Sequence, residues 1–554
     1  MAETGRILRA LGRIAFAGGL LALGAPPARS ATFTVTDTVD AVDTGVGDGL
    51  CSAIVGVVPG IPLPFFVFGC TLRAALQEAN FAPGEDSIIV PAGSFGVALA
   101  VTGVDDAGGD LDVTDDVVIT GAGRASTILD ASGLPAGQPA LAITDPTPAD
   151  GNPVELRLAG VTIADAPDAG LFSETPFTHF ELDDVVIRGS GAYGIRKNGV
   201  ALDQITNSRI AESTNAGLFS AQGDLDIASS VVEANGGGGI LNLSGALTVM
   251  DSTIRGNTGG DGGIRHQGTS LLILRSTIHD NHSTNRGGGL RIEGGSPNVI
   301  RDTTFSANGT TSDGGAISTS EPFTIANSTL SGNQANGDGG GVFASSSPAV
   351  ARIQNCTIYG NAADVDANAT GQGGGIAQDY FSEIRVRNSV LANNTAAPAV
   401  GRDCAGTIVS EGYNVVRIDD CGGFSPAADR EGSDGAPLDA ELGPLADNGG
   451  PTLTQMPAVT SPVVDFGAPA GCPIDDDGLP GTPGVALLAD QRGALRPRDG
   501  DGDHAARCDV GAVEVPEPGA GATSIASWLT LGILARRIQA RRVAARSRQN
   551  APVE

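Results

Sequence analysis

The phrase DSTIRGN at residues 251–257 returns as RSTIHDN, DTTFSAN, NSTLSGN, NCTIYGN and NSVLANN, and this recurrence limits the possible folds more than any other feature. Its first residue falls at Asp251, Arg275, Asp302, Asn327, Asn355 and Asn388, in steps of 24, 27, 25, 28 and 33. A period in the twenties marks a solenoid, in which each unit buries its apolar face against its neighbours. Weaker copies at Ser229, Asn207, Asp184, Gly160 and Asp116 extend the array backward, so it is expected to fill residues 86–400.

Each unit offers two short apolar pieces. The first sets Val249, Ile273, Ile300 and Ile325 at one equivalent position and Ile254, Ile278, Phe305 and Leu330 at another. The second follows a glycine run and sets Ile264, Leu290, Ile317, Val342 and Ile376 in line. Short pieces bounded by Gly, Asn and Asp read as strands, with glycine supplying the positive φ of a tight corner. Nowhere does helical apolar spacing persist long enough to wrap the repeat, which excludes leucine-rich and ankyrin solenoids. A lap of strands and turns of this length predicts an all-β, right-handed parallel β-helix of about eleven laps. Equivalent residues would then stack at about 4.8 Å. Aromatics at 4% and 81 glycines among 554 residues fit such an aliphatic, turn-rich core.

The phrase closes on asparagine: Asn235, Asn257, Asn281, Asn308, Asn333, Asn361 and Asn394. Stacked inside a coil, these amides would donate and accept along one internal ladder, so they are read as structural.

The 63 acidic and 33 basic residues give a net charge of -30. Such a field repels phosphate backbones, so nucleic acid is excluded as the expected partner. A content of 41% hydrophobic residues excludes a disordered chain.

Both ends carry address signals. Arg6, Arg9 and Arg13 precede the apolar run IAFAGGLLALGA and the small residues around Ala28 and Ser30, so residues 1–30 read as a secretory signal peptide. Seven cysteines suit an exported protein. Cys51 and Cys70, Cys404 and Cys421, and Cys472 and Cys508 each flank one loop and are expected as local disulfides, with Cys356 buried and free. No CxxC spacing occurs, which argues against a cysteine metal site.

The stretch GCTLRAALQEAN at 69–80 predicts a short helix capped by Thr71, with Leu72 and Leu76 as its apolar stripe, closing the open front of the coil. It resembles the family named for a Cys-Ser-Leu-Arg-Glu-Ala motif at the start of extracellular bacterial β-helix proteins, through Cys70, Leu72, Arg73, Ala75 and Asn80. Ala74 stands where that motif has Glu, leaving Arg73 without that partner. Downstream, LGPLADNGGPTLTQMPAVTSPVVDFG, ADQRGALRPRDG and CDVGAVE resemble the choice-of-anchor Q region, including Asn448, Gly449, Gly450, Asp465, Asp490, Arg492 and Arg496. The tail VPEPGAGATSIASWLTLGILARR resembles a PEP-CTERM sorting signal of Gram-negative bacteria. These resemblances imply export, display at the outer cell surface, contact with a sorting enzyme and transient or permanent membrane contact through the tail. The expected organisation is a signal peptide at 1–30, a front cap at 31–85, the coil at 86–400, a disulfide-containing C-terminal region at 401–515 and a sorting segment at 516–554.

Two function classes fit such a chain. One is a structural or adhesive surface protein contacting glycans or extracellular matrix. The other is a polysaccharide lyase or glycoside hydrolase acting on an acidic polysaccharide, for which fold offers only analogy. Lap alignment stacks Arg265 on Arg291 with Gln267 beside Glu293, a basic and polar patch that could grip an acidic sugar, with His279 near Arg255. Glu181, Asp183, Asp184 and Arg188 form a second charged group, as a hydrolase's paired carboxylates would. Aromatic stacking faces are few, with Phe343, Tyr380 and Phe381 at expected outer positions. HExxH and GxSxG are both absent, and no catalytic residue can be named. No cofactor is required by the pattern. Asp499, Asp501 and Asp503 in RDGDGDH, like Asp475, Asp476 and Asp477, place hard oxygen ligands in glycine-rich loops of the kind that suit Ca²⁺.

Overall fold

The computed structural model describes residues 30–517 apart from 60–63, 100–108, 149–150, 346–349, 380–381, 398–400, 426, 470 and 475–484. Nearly all of the expected signal and sorting segments, together with Tyr380, Phe381 and Asp475 to Asp477, lie outside the described residues.

The chain is a right-handed parallel β-helix. Its laps lay strands on three walls of 14, 14 and 12 strands, each paired in parallel with its equivalent one lap away. One lap shows the course: Ala246–Met250 on the first wall, Thr253–Arg255 on the second and Ile264–His266 on the third. A six-stranded ladder of two-residue pieces, from Thr258–Gly259 to Thr395–Ala396, bridges the second and third walls in the middle laps.

The expectation of two pieces per lap is therefore corrected to three. The first piece is folded over a corner at the opening residue of the phrase, where Asp251, Arg275, Asp302, Asn327, Asn355 and Asn388 all take φ between 45° and 53°. A second left-handed residue stands just before the ladder asparagine: Ala234, Gly256, Asp280, Ala307, Gly332 and Gly360 have φ between 52° and 68°. DSTIRGN is thus corner, strand, corner. Asn, Asp and Gly recur at its bends because they tolerate this backbone best.

The glycine runs combine two demands. Gly262, Gly287, Gly314 and Gly339 have positive φ. Gly263, by contrast, is fixed by proximity, since a Cβ there would lie 2.4 Å from the carbonyl oxygen of Gly289 on the next lap.

Stacking is in register. Ile254, Ile278, Phe305, Leu330, Ile358 and Leu391 follow one another along the second wall, every one fully buried. Each such side chain stabilises the fold by about 1.5–3 kcal/mol. Beside this column the asparagines form their ladder. The Nδ2 of Asn257 donates to Oδ1 of Asn281 at 2.9 Å, Asn281 to Asn308 at 3.0 Å, Asn308 to Asn333 at 2.9 Å and Asn333 to Asn361 at 2.8 Å. Asn361 passes the chain to Asn394 at 3.0 Å, and Asn394 donates to Asp403 at 2.8 Å. Every amide points the same way, so the last one needs an acceptor, and Asp403 provides it.

The front is closed by the helix Leu72–Phe81, whose N-cap Thr71 accepts from the backbone N–H of Ala74 at 3.1 Å and whose Leu72 and Leu76 are buried. Arg73 has a replacement partner: Asp40 takes its guanidinium at 2.7 and 3.0 Å, and the carbonyls of Gly109 and Asp110 accept from it as well. Asn80 ties the helix to the first lap, donating to Asp112 O and accepting from Thr114 N. Beside this lid the hairpin Ala53–Val58 with Phe65–Gly69 leaves Phe65, Phe66 and Phe68 exposed.

At the other end the coil runs past 400. Cys404–Ala405, Ile408–Ser410 and Val415–Val416 continue the three walls, and Arg430–Glu431 adds a further second-wall strand. The rest of the C-terminal region lies against the second wall. Gln491 accepts from Thr329 at 2.7 Å and donates to Thr304 at 2.9 Å, and Arg496 donates to Asn327 at 3.1 Å. Asn388 donates to the carbonyl of Asp509, and Thr357 accepts from Ala512 N. Three disulfides close this region and the front cap: Cys51–Cys70, Cys404–Cys421 and Cys472–Cys508, with Cys356 free and buried.

Candidate functional site

A three-residue strand on the third wall turns its first and last side chains inward and its middle one outward, because side chains alternate across a strand. In-register stacking therefore makes one outward column: Phe172, Arg196, Phe219, Leu241, Arg265, Arg291 and Ser318 on successive laps. Phe172 to Arg291 are each half-buried. The Arg196 guanidinium lies 4.8 Å from the Phe172 ring centre, and Tyr193 packs on Phe219 at 5.3 Å. The sequence reading found Arg265 and Arg291 but missed the aromatic half. Phe172 and Phe219 lie in LFS segments whose laps lack the glycine run that aligned the others.

Glu293 organises the lower part of the column. It accepts from Arg265 at 2.8 Å and Gln267 at 2.9 Å and pairs with Arg291, while Asp261 lies 3.4 Å from Arg265. Burial would raise the Glu293 carboxyl, but the bonds from Arg265 and Gln267 and the charge of Arg291 hold it below its ordinary range. A carboxylate so fixed is a poor proton donor. It positions the two guanidinium groups. His279 pairs in register with Arg255 on the second wall and contacts Asp280, so it belongs to another face.

Phe343 is corrected as a stacking face: it is buried and covered by Arg286, whose guanidinium sits 5.2 Å from the ring centre.

The group around Asp183 disperses. Asp183 accepts from Thr206 and Asn207 at 2.7 Å, Asp184 pairs with Arg124 at 3.1 Å and Arg188 faces Asp165 at 3.8 Å. These bonds tie neighbouring corners together. Only Glu181 joins a different assembly on the first wall, which sequence reasoning missed. In register, Glu155 lies beside His179 and Arg157 beside Glu181. Arg157 reaches Glu85 at 2.6 Å, Glu155 at 2.7 Å and Glu181 at 3.2 Å. His179 Nδ1 meets Asp203 at 3.0 Å, and behind it Lys197 pairs with the other oxygen of Asp203, both side chains being 0% exposed. Burial acts to lower the His179 pKa, but Asp203, Glu155 and Glu181 outweigh it and raise the value above the ordinary one; burial lowers that of Lys197. The sequence signal was alternation, VELRL over THFEL, just ahead of the weaker copies of the phrase at Gly160 and Asp184.

In the acidic loop, Asp499 and Asp501 approach each other, but Asp503 turns away to accept from Ala505 N at 2.8 Å. Asp465 takes the third place, within 4.8 Å of both, and accepts from Gly500 N and Asp501 N at 2.8 and 2.9 Å. Asp490, Arg492 and Arg496 are joined in a buried network with Glu514, with Arg496 bonded to Glu514 at 2.6 Å. Gly450 fits beneath Arg492, where a Cβ would lie 2.5 Å from that residue's Cα. These residues hold the C-terminal region on the coil.

The family model described as right handed beta helix region matches residues 193–362 and 241–421. No curated protein matches the chain. Among solved structures, the mannuronan C-5 epimerase AlgE6 A-module of Azotobacter vinelandii is 13% identical, over 62% of this chain and 94% of that one, with a TM-score of 0.39. The Agl-KA catalytic domain is 15% identical, over 71% and 69%, with a TM-score of 0.40. The catalytic domain of a GH87 alpha-1,3-glucanase in complex with nigerose is 15% identical, over 62% and 67%, with a TM-score of 0.32. Likeness of this degree carries no argument about activity.

Proposed function

We propose that the chain is an exported, surface-displayed β-helix that attaches to an acidic polysaccharide along the outward column of its third wall. The observation that carries this reading is the register of Phe172, Arg196, Phe219, Leu241, Arg265 and Arg291, one residue per lap. A repeating polymer laid along the coil would meet apolar and guanidinium contacts at a step of about 4.8 Å. Arginine's planar fork suits a carboxylate, and ring faces suit the apolar side of a sugar. Three arginines against Glu293 and Asp261 leave the column locally basic within a chain of net charge -30.

Export through residues 1–30, the assignment to proteins with the Cys-Ser-Leu-Arg-Glu-Ala motif and choice-of-anchor Q region, and sorting of the tail at 516–554 by a membrane enzyme of a Gram-negative bacterium belong to the same proposal. Ca²⁺ at the acidic loop would now be held by Asp465, Asp499 and Asp501; an unchanged melting temperature after calcium depletion would argue against it.

The test is a panel of alginate, polygalacturonate and dextran incubated with the purified protein. Binding is read by affinity electrophoresis, and cleavage by new reducing ends and the ultraviolet absorbance of unsaturated uronates. The proposal expects retention by the two acidic polymers, none by dextran, and no cleavage. Cleavage of any member would replace attachment by lyase or hydrolase action. Equal retention by dextran would remove the role of the arginines.

A further inference from the structure

Glu155, His179 and Glu181 stand on the first wall, away from the polysaccharide column, and we propose that they bind a divalent transition-metal ion, Zn²⁺ being the ion their donor set fits. The His179 Nε2 lies 3.6 Å from a Glu155 oxygen and 3.7 Å from a Glu181 oxygen, and the three ligand atoms all fall within 4.8 Å of one another. A small cation at their centre would need only modest side-chain movement to reach bonding distances of about 2.0–2.2 Å.

A second, independent feature points to the same ligand. The fully buried Asp203 engages His179 Nδ1 and is itself fixed by Phe180 N at 2.8 Å and by Lys197. A carboxylate on one ring nitrogen places the proton there and turns the lone pair of the other outward. This is the arrangement that orients a metal-ligating imidazole. A ring that swung away would give up its bond to Asp203 inside the coil.

Charge agrees. Glu85, Glu155, Glu181 and Asp203 face Arg157 and Lys197, leaving two negative charges over when the imidazole is neutral. A divalent ion balances them. Arg157 now spans Glu155 and Glu181, yet its contact with Glu85 at 2.6 Å gives it a place to remain when the ion takes the other two carboxylates. One imidazole among oxygen donors favours Zn²⁺ over Ca²⁺ and Mg²⁺, which prefer oxygen alone. Glu181 is 41% exposed and His179 16%, so a coordination position stays open to solvent. Among the described residues the other candidate groups offer disulfide-bonded cysteines or carboxylates without an imidazole.

The experiment is calorimetric titration of the chelator-treated protein with ZnCl₂ near neutral pH, repeated with CaCl₂, for the native chain and the variants H179Q and E181Q. Circular dichroism accompanies each titration, and E181Q, altered at a half-exposed residue, keeps the test valid if H179Q folds poorly. The proposal expects one saturable Zn²⁺ site in the native chain, at least tenfold weaker Zn²⁺ binding in E181Q, loss in H179Q, and a Ca²⁺ response that neither substitution alters. It is overturned if the native chain takes up no Zn²⁺, if both variants bind Zn²⁺ like the native chain, or if the two substitutions abolish Ca²⁺ binding as they do Zn²⁺ binding. None of these outcomes depends on polysaccharide binding.

Discussion

At the scale of single residues, the ladder makes the most exacting demand. Asn308 accepts from Asn281 through Nδ2 and backbone N–H, and donates to Ile278 O and Asn333. Leucine there would strand several buried groups at once, so N308L is expected to cost about 3 kcal/mol in chemical denaturation, against less than about 1 kcal/mol for Arg255→Ala at a half-exposed pair. Asp403 adds a pH dependence. Burial raises its carboxyl to about 6, against the hydrogen bonds from Asn394 and Ile418, so the folded chain holds a proton the unfolded chain has released. Its contribution is full below the unfolded value and is lost as pH rises from about 4 to 6, by roughly 3 kcal/mol. His266 acts in the opposite sense. Burial lowers it to about 4, so its contribution is lost as pH falls from about 6.5 to 4. Thermal melts of D403N should therefore improve relative to the native chain between pH 4 and 6; a constant difference would contradict the assignment. The asparagines were legible because they recur. Asp403 was not, because an acceptor that ends a series occurs once.

At the scale of elements, the corners explain what the repeat left ambiguous. VMDSTI reads as one strand because its apolar positions run through the bend, and only the backbone reveals that Asp251 turns it. Outward positions were still harder to read. They carry no pattern the fold requires, which is why Asp503 was chosen over Asp465, and why Asp183 rather than His179 drew attention. The C-terminal region shows a change within the repeat itself. The corner residue becomes asparagine at 327, 355 and 388, where that region lies against the coil, and Thr304, Thr329 and Thr357 beneath it are buried. Gln491 is the shared contact of Thr304, Thr329 and Thr452. Q491L should loosen this docking by about 2–4 kcal/mol. Hydrogen exchange should then rise in residues 440–515 with little change in 240–330. A uniform rise would mean the two parts unfold together.

At the scale of the whole molecule, a solenoid contacts only its neighbours and offers long, repetitive faces. Its interior was readable from periodicity because every lap repeats the same demand. The function of its exterior was not, since an outward column forms only when laps of different length are stacked in space. No helix among the described residues is long and apolar enough to cross a membrane. The central claim is that one outward column makes this wall a binding surface for acidic polymers. Its most direct test is affinity electrophoresis in alginate of the native chain beside R196Q/R265Q/R291Q, a triple variant altered only at half-buried outward positions. The account expects strong retardation of the native protein, weakened by added salt, and at least a tenfold loss of affinity in the variant with its circular dichroism unchanged. Equal retardation of a well-folded triple variant would place the binding elsewhere and contradict the account.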